Sequence, residues 1–217
     1  MHQRRFWLLL LPAILLTSAL AAPVHLEPAG ALTDASVPAA VRAALQPTGY
    51  RIHLGDSVYC DIWLAQSVAA TGAKEAKEAI YSQLPPSAFA GVISFPSGAK
   101  DFRGQSIKPG YYTLRYQLMP ADGNHLGVAP NPDFLLLVPA ALDPNPAAAF
   151  PYEQFVKLSA QAAGTNHPAV FLMPSPEAGD LPKVFQNADG FYVFAAKLRT
   201  SASGELPFAL VIKGEAQ

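Results

Sequence analysis

The sequence predicts a mainly β fold, an antiparallel β-sandwich of about eight strands with two or three short helices. Three observations lead to this prediction. Frequent Pro and Gly residues, 21 and 15 of the 217, separate short apolar runs. Residues 111–119 alternate between an apolar and a polar face, which is typical of a half-buried antiparallel strand. The apolar fraction is 51% and the charged fraction 14%, which indicates a well-packed domain rather than a disordered chain.

The N-terminus predicts a cleavable signal peptide over residues 1–21. Arg4 and Arg5 precede an apolar run over 6–16, which is shorter than the roughly 20 residues of a membrane-spanning helix. The small residues up to Ala21 fit an A-x-A cleavage site. We therefore expect a periplasmic or secreted protein with no membrane insertion after cleavage.

The segment that follows lacks periodicity. We expect residues 22–35 to form a flexible leader, followed by one β-sandwich domain over 36–217. Ser36 stands where it can cap a helix over 37–45, and Pro47 ends that helix.

The remaining elements follow from periodicity and from turn residues. Spacings of three and four residues predict helices over 74–84 and 152–163, the second with Gly164 as its C-cap. Alternating or continuous apolar runs predict strands over 50–54, 58–64, 89–95, 111–119, 134–138, 169–173, 191–198 and 206–212.

Charge and motif content exclude several functions. The chain has 15 basic and 16 acidic residues and no basic run, so we expect no nucleic-acid partner. It contains no G-x-S-x-G, P-loop, G-x-G-x-x-G, H-E-x-x-H, C-x-x-C or EF-hand motif. No cofactor is therefore expected, and a bound divalent metal is kept as an alternative.

Cys60 is the only cysteine, so the domain has no internal disulfide. We interpret it as a small buried hydrophobe, because no basic residue or helix N-terminus adjoins it in sequence to activate the thiol.

The segment 108–114, Lys-Pro-Gly-Tyr-Tyr-Thr-Leu, resembles a strand entry of prealbumin-like β-sandwich modules of the carboxypeptidase-regulatory type. In these modules a Pro-Gly turn leads into a strand of alternating Tyr and Leu. The resemblance covers about ten residues and largely reflects strand physics. It implies a sandwich with a binding or scaffolding role, and it transfers no functional residue.

Two loops carry candidate site residues. The loop over 120–132 contains Asn124 and His125, and it exceeds the usual hairpin connection of about two to five residues. The second loop contains His167, next to Pro168. Long ordered loops often carry function, whereas a loop His often only holds the loop through a backbone carbonyl.

Topology is expected to bring the two loops together. If strand 111–119 runs upwards, Asp133 begins the descending strand at the top, and helix 152–163 returns the chain by about 18 Å. His167 would then approach His125 and Asp133. Two imidazoles and a carboxylate can bind a divalent metal or perform acid–base chemistry.

A second candidate surface contains Trp63, Tyr59, Tyr111 and Arg115. Exposed aromatic rings on a sheet can stack on sugars. The interpretation we favour is that helices cover this face and that its aromatic residues belong to the core.

The leading functional hypothesis is a ligand- or partner-binding module, whose partner would be a small molecule, a glycan or an envelope protein. The alternatives are a metal-dependent or acid–base enzyme that uses His125, His167 and Asp133, and a structural subunit of an envelope assembly.

Overall fold

The computed structural model describes residues 23–71, 78–125, 127–201 and 204–216. The expected signal peptide lies outside these residues, as do residues 74–77 of the predicted helix 74–84. In the part of the chain that is described, no helix is long and apolar enough to cross a membrane.

The protein is mainly β, with antiparallel sheets and two α-helices among the described residues. The helices are α1 (Ala39–Ala43) and α2 (Tyr152–Ala163). The strands are β1 (Val24–Ala29), β2 (Gly49–Leu54), β3 (Ser57–Leu64), β4 (Phe89–Phe95), β5 (Ala99–Lys100), β6 (Ser106–Ile107), β7 (Gly110–Leu118), β8 (Asp133–Pro139), β9 (Ala169–Leu172), β10 (Lys183–Gln186), β11 (Tyr192–Thr200) and β12 (Gly204–Lys213).

The strands of the described residues form three antiparallel sheets. The largest has seven strands in the order β1-β2-β3-β4-β7-β8-β9, the second has the order β10-β11-β12, and β5 pairs with β6. Strands β1, β5, β6 and β10 were not predicted, so the described strands exceed the expected eight.

Side chains from the two larger sheets meet in one hydrophobic cluster, which includes Ile52 and Ile62 of the seven-stranded sheet and Phe194 and Leu210 of the three-stranded sheet. Period-2 alternation places these residues on one face of each strand. The cluster also takes up Cys60, which is fully buried, as predicted.

Strand β8 is buried on both faces. Leu135 and Leu137 belong to the main cluster, whereas Phe134 and Leu136 belong to a second cluster with Phe155 of α2. Burial on both faces explains why this strand reads as a continuous apolar run rather than an alternating one. The sequence pattern therefore located the strand but left its two faces indistinguishable.

The expected flexible leader contains an ordered strand. All six residues of Val24–Ala29 pair with β2, and Leu26 packs against the main cluster while His25 and Glu27 are exposed. The expectation of a flexible segment over 22–35 is wrong for these residues. The alternating pattern Val-His-Leu-Glu was present, but it is short and ends at Pro28.

Two helix predictions need correction. Helix α1 is shorter than 37–45 and begins after Pro38, and the Ser36 hydroxyl donates to Asp34 instead of capping the helix. Residues 78–84 form turns rather than a helix, because Glu78 has a φ of 68° and the backbone N–H of Ile80 donates to a distant carboxylate. A long-range hydrogen bond overrides local helix propensity there.

Candidate functional site

A groove of about 470 Å³ is lined by β7, β8, β9, α2 and the loops next to them, together with the β5–β6 loop and Ala216. The volume lies within the range of roughly 300 to 1,000 Å³ that is usual for small-molecule sites. Phe134 and Leu136 of β8 line it together with Val170 of β9, and Tyr152 and Val156 line it from α2. Apolar side chains therefore form most of its surface.

The alternation of β8 and the period of α2 create this surface. Phe134 and Leu136 share one face of β8 because they are two residues apart, and this face points away from the main cluster, to which the alternate residues Leu135 and Leu137 belong. Tyr152 and Val156 are four residues apart, so they share one side of the helix. Phe155, on the adjoining side, is fully buried beneath them.

Two exposed apolar side chains lie in the groove. Among the described residues the large hydrophobic side chains that remain exposed are Val128 at 45%, Leu142 at 42% and Tyr152 at 47%. Val128 and Tyr152 line the groove, whereas Leu142 does not. Exposed apolar surface concentrated in a concave site is typical of a ligand-binding site.

Both loop histidines line the groove, so the two loops that carry them border the same site. Helix α2 ends at Gly164, whose φ of 66° is the left-handed C-cap conformation predicted for it. The chain then turns and brings His167 to the groove. His125 reaches it from the loop after β7, as the antiparallel pairing of β7 with β8 requires.

His125 is held by a neighbouring carboxylate. Its Nδ1 lies 2.6 Å from Oδ1 of Asp122. This hydrogen bond lowers the pKa of the Asp122 carboxyl below its ordinary value, and the backbone N–H of Asn124, which donates to the same carboxylate, adds to the effect. The loop therefore presents an oriented imidazole at the edge of the groove.

Arg103 also lines the groove. Among the residues that the structure describes, no carboxylate lies within ion-pair distance of its guanidinium. An exposed and unpaired guanidinium beside an apolar surface is suited to bind an anionic group.

Asp133 does not join the two histidines. It is fully buried, and its carboxylate accepts hydrogen bonds from the backbone N–H groups of Ile80 and Tyr81, the Tyr116 hydroxyl and the Asn131 amide. As the first residue of β8 it points the same way as Leu135, into the main cluster. Because alternate residues of a strand point to opposite faces, Asp133 faces away from the groove that Phe134 and Leu136 line.

The predicted ligand set is consequently not assembled as one centre. Asn124 is exposed and does not line the groove, although it neighbours His125 in sequence. Within the described ranges, His125, His167 and Asp133 do not form a cluster of metal-ligating atoms.

The surface around Trp63 is not available to a sugar. Trp63 is 5% exposed and donates from Nε1 to the carbonyl of Gly30, 2.8 Å away, and Arg115 is fully buried. The segment after β1 covers Trp63, rather than the helices that we expected. Tyr59 and Tyr111 are partly buried and pack against the main cluster, so the aromatic residues of this face belong to the core as expected, whereas the expected cover by helices is wrong.

Sequence reasoning missed Val128, Tyr152 and Arg103 as groove residues. The helical spacing predicts that Tyr152 belongs to the apolar face of α2, and only the structure shows that it is exposed. Val128 is an apolar residue in a loop rich in Gly, Pro and Asn, and this contrast was the available signal. No pattern indicated Arg103.

Comparisons with protein-family models, with curated proteins and with solved structures found no match to this chain.

Proposed function

We propose that this chain is an exported β-sandwich binding module whose groove takes a small amphipathic anion. The observation that carries the proposal is the exposure of Val128 and Tyr152 inside the groove. Burial of such apolar surface contributes about 25 cal/mol per Å² that is removed from water. An apolar ligand body placed against these two side chains would supply that stabilisation.

The polar residues define the other end of the ligand. Arg103 supplies a cation that pairs with no carboxylate among the described residues, and His125 and His167 add imidazole groups to the same lining. A carboxylate or another anionic group suits this set, because a guanidinium donates charge-assisted hydrogen bonds to it. The ligand class is therefore an apolar body that carries one anionic group.

The proposal also includes the sandwich architecture and the export of the protein. The two larger sheets share one hydrophobic cluster, β1 lies against β10 and β9 lies against β12, an arrangement that supports a sandwich. The arginines, the short apolar run and the small residues over 1–21 support export.

A fluorescence titration with anilinonaphthalene sulfonate tests the groove, since this probe is itself an aromatic anion. We expect one saturable site, which Tyr152→Ala weakens by about tenfold, equivalent to about 1.4 kcal/mol. Arg103→Gln is expected to weaken binding similarly, because it removes the cation.

Leu142→Ala is the matched control, since Leu142 is equally exposed but lies outside the groove. It should leave the affinity unchanged. Near-ultraviolet circular dichroism should show that each variant keeps native packing, because the probe also binds partly unfolded chains. Equal weakening by Leu142→Ala and Tyr152→Ala would contradict the proposal.

Acid–base catalysis is a second candidate, favoured by the pairing of His125 with Asp122. A carboxylate on Nδ1 fixes the imidazole so that Nε2 can act as a base. Ester hydrolysis measured for the wild type and His125→Gln tests it, with His53→Gln as a control outside the groove. A rate that His125→Gln leaves unchanged would remove this candidate.

A further inference from the structure

A cluster of metal-ligating side chains lies on the outer face of β1 and β2, on strands that do not line the groove. It consists of His25, Glu27 and His53. One ligand atom from each residue lies within 4.8 Å of the other two. Among the described residues, no other group of three or more His, Cys, Asp or Glu side chains meets this distance.

The register of the two strands creates the cluster. His25 is directly opposite His53 in the antiparallel pair, and Glu27 lies two residues further along β1 on the same face. Directly opposed side chains are about 5 Å apart at Cβ, and diagonal neighbours remain within reach of long side chains. The imidazole rings stack with their centroids 4.2 Å apart and their planes 14° apart.

The backbone under the cluster is fixed. Every residue of β1 pairs with β2, and β2 pairs with β3. Leu26, between the two ligands of β1, packs against the main cluster. Only side-chain rotation is therefore required to bring the three ligand atoms to a common ion.

That rotation is small. Two ligands on one zinc ion at about 2.1 Å each lie about 3.4 Å apart in tetrahedral geometry. Nε2 of His53 and Oε1 of Glu27 are already 3.0 Å apart. His25 and Glu27 are exposed, so an ion can enter from solvent and keep water as a further ligand.

The arginine opposite Glu27 pairs with another carboxylate. Arg51 is its partner across the strands, but the guanidinium turns to Asp61 on β3 and binds it through two hydrogen bonds of 2.8 and 2.9 Å. The carboxylate of Glu27 consequently remains directed at His53.

We propose that His25, Glu27 and His53 bind one divalent transition metal ion of the zinc and copper class. Two imidazoles and one carboxylate are borderline ligands that suit Zn²⁺ and Cu²⁺, whereas calcium and magnesium prefer oxygen ligands alone. The site is independent of the groove, so it stands whether or not the groove binds an amphipathic anion.

Zinc binding by the purified protein, prepared without a histidine tag, tests the proposal by competition with a chromogenic chelator. We expect one equivalent of Zn²⁺ to bind, and Glu27→Gln or His53→Ala to weaken it by at least about tenfold, since even indirect partners of a metal contribute that much. With Cu²⁺, electron paramagnetic resonance should show two nitrogen ligands. Glu27 is exposed, so Glu27→Gln decides the question even if His53→Ala fails to fold.

The double variant His125→Ala/His167→Ala is the matched control, because it removes the two described histidines that line the groove. It should keep the bound equivalent and its affinity. The proposal is overturned if zinc fails to bind, if Glu27→Gln leaves the affinity unchanged, or if the control variant loses the ion.

Discussion

Arg115 and Asp143 form a fully buried ion pair in which each N–H of the guanidinium has an acceptor. Nε and Nη2 of Arg115 lie 2.6 and 2.8 Å from the two carboxylate oxygens of Asp143. The three remaining N–H groups donate to the carbonyls of Ser87, Asn145 and Ala148. The side chain thereby ties the loop after β8 to the middle of β7.

Replacement of Arg115 by Met should destabilise the protein by about 3–5 kcal/mol, because it leaves the carboxylate of Asp143 buried and unpaired. Urea denaturation measures the change. Arg51→Met is the control, since Arg51 also pairs with an aspartate but its side chain is 42% exposed. Its cost should stay within about 1 kcal/mol. Equal costs for the two variants would contradict the role assigned to Arg115.

Asp133→Asn should destabilise the protein by about 3 kcal/mol without lowering the affinity of the groove for anilinonaphthalene sulfonate. Each carboxylate oxygen of Asp133 accepts two hydrogen bonds. The Asn amide replaces one of these oxygens by an NH₂ group, so two buried donors would lose their acceptor. Urea denaturation gives the stability, and anilinonaphthalene sulfonate titration of the folded variant gives the affinity.

Asp56→Asn, in the exposed turn between β2 and β3, is the control for this substitution and should change the stability by less than about 0.5 kcal/mol. A folded Asp133→Asn variant that has lost binding to the groove would instead return Asp133 to the site, as the sequence predicted.

The contrast between Asp133 and His167 shows how far sequence reasoning reached. Helix α2 has the bounds that its periodicity predicted, so the chain returns to the end of the sheet that carries His125. The direction in which the Asp133 side chain points depends on which face of β8 packs against the main cluster. Because β8 is apolar on both sides, its sequence contains no alternation that reveals the facing.

The predictions for two other elements were wrong for a different physical reason. The helix expected over 74–84 has strong local propensity, yet in its described part the N–H groups of Ile80 and Tyr81 bond to Asp133, more than fifty residues away in sequence. Strand β10 is short and only partly buried, so its pattern is weak. Both depend on contacts that are distant in sequence, which no local window contains.

Cys60 should be unreactive in the folded protein. It is fully buried, and burial raises the pKa of its thiol well above the ordinary value, with Asp61 adding to the effect. Because the thiolate is the reactive form, we expect negligible labelling by an aromatic disulfide reagent under native conditions and complete labelling in guanidinium chloride. Rapid labelling of the native protein would show that the core around Cys60 opens readily.

The hydrogen bond between His125 and Asp122 should be visible as a pKa difference. Because this bond lowers the pKa of the Asp122 carboxyl in the folded state, it stabilises the loop above the unfolded pKa, and the contribution is lost as the pH falls through the folded value. His125→Ala should therefore raise the pKa of Asp122 towards its ordinary value, as measured by carbon-detected NMR of the side-chain carboxyl.

Asp34 provides the internal control for that titration. Its pKa is also lowered, but by the hydroxyl and backbone N–H of Ser36, so His125→Ala should leave it unchanged. If the Asp122 carboxyl titrated identically in the wild type and the variant, the backbone N–H groups of residues 124 and 125 would account for its lowered pKa. His125 would then not be oriented by Asp122, and the acid–base candidate would lose the observation on which it rests.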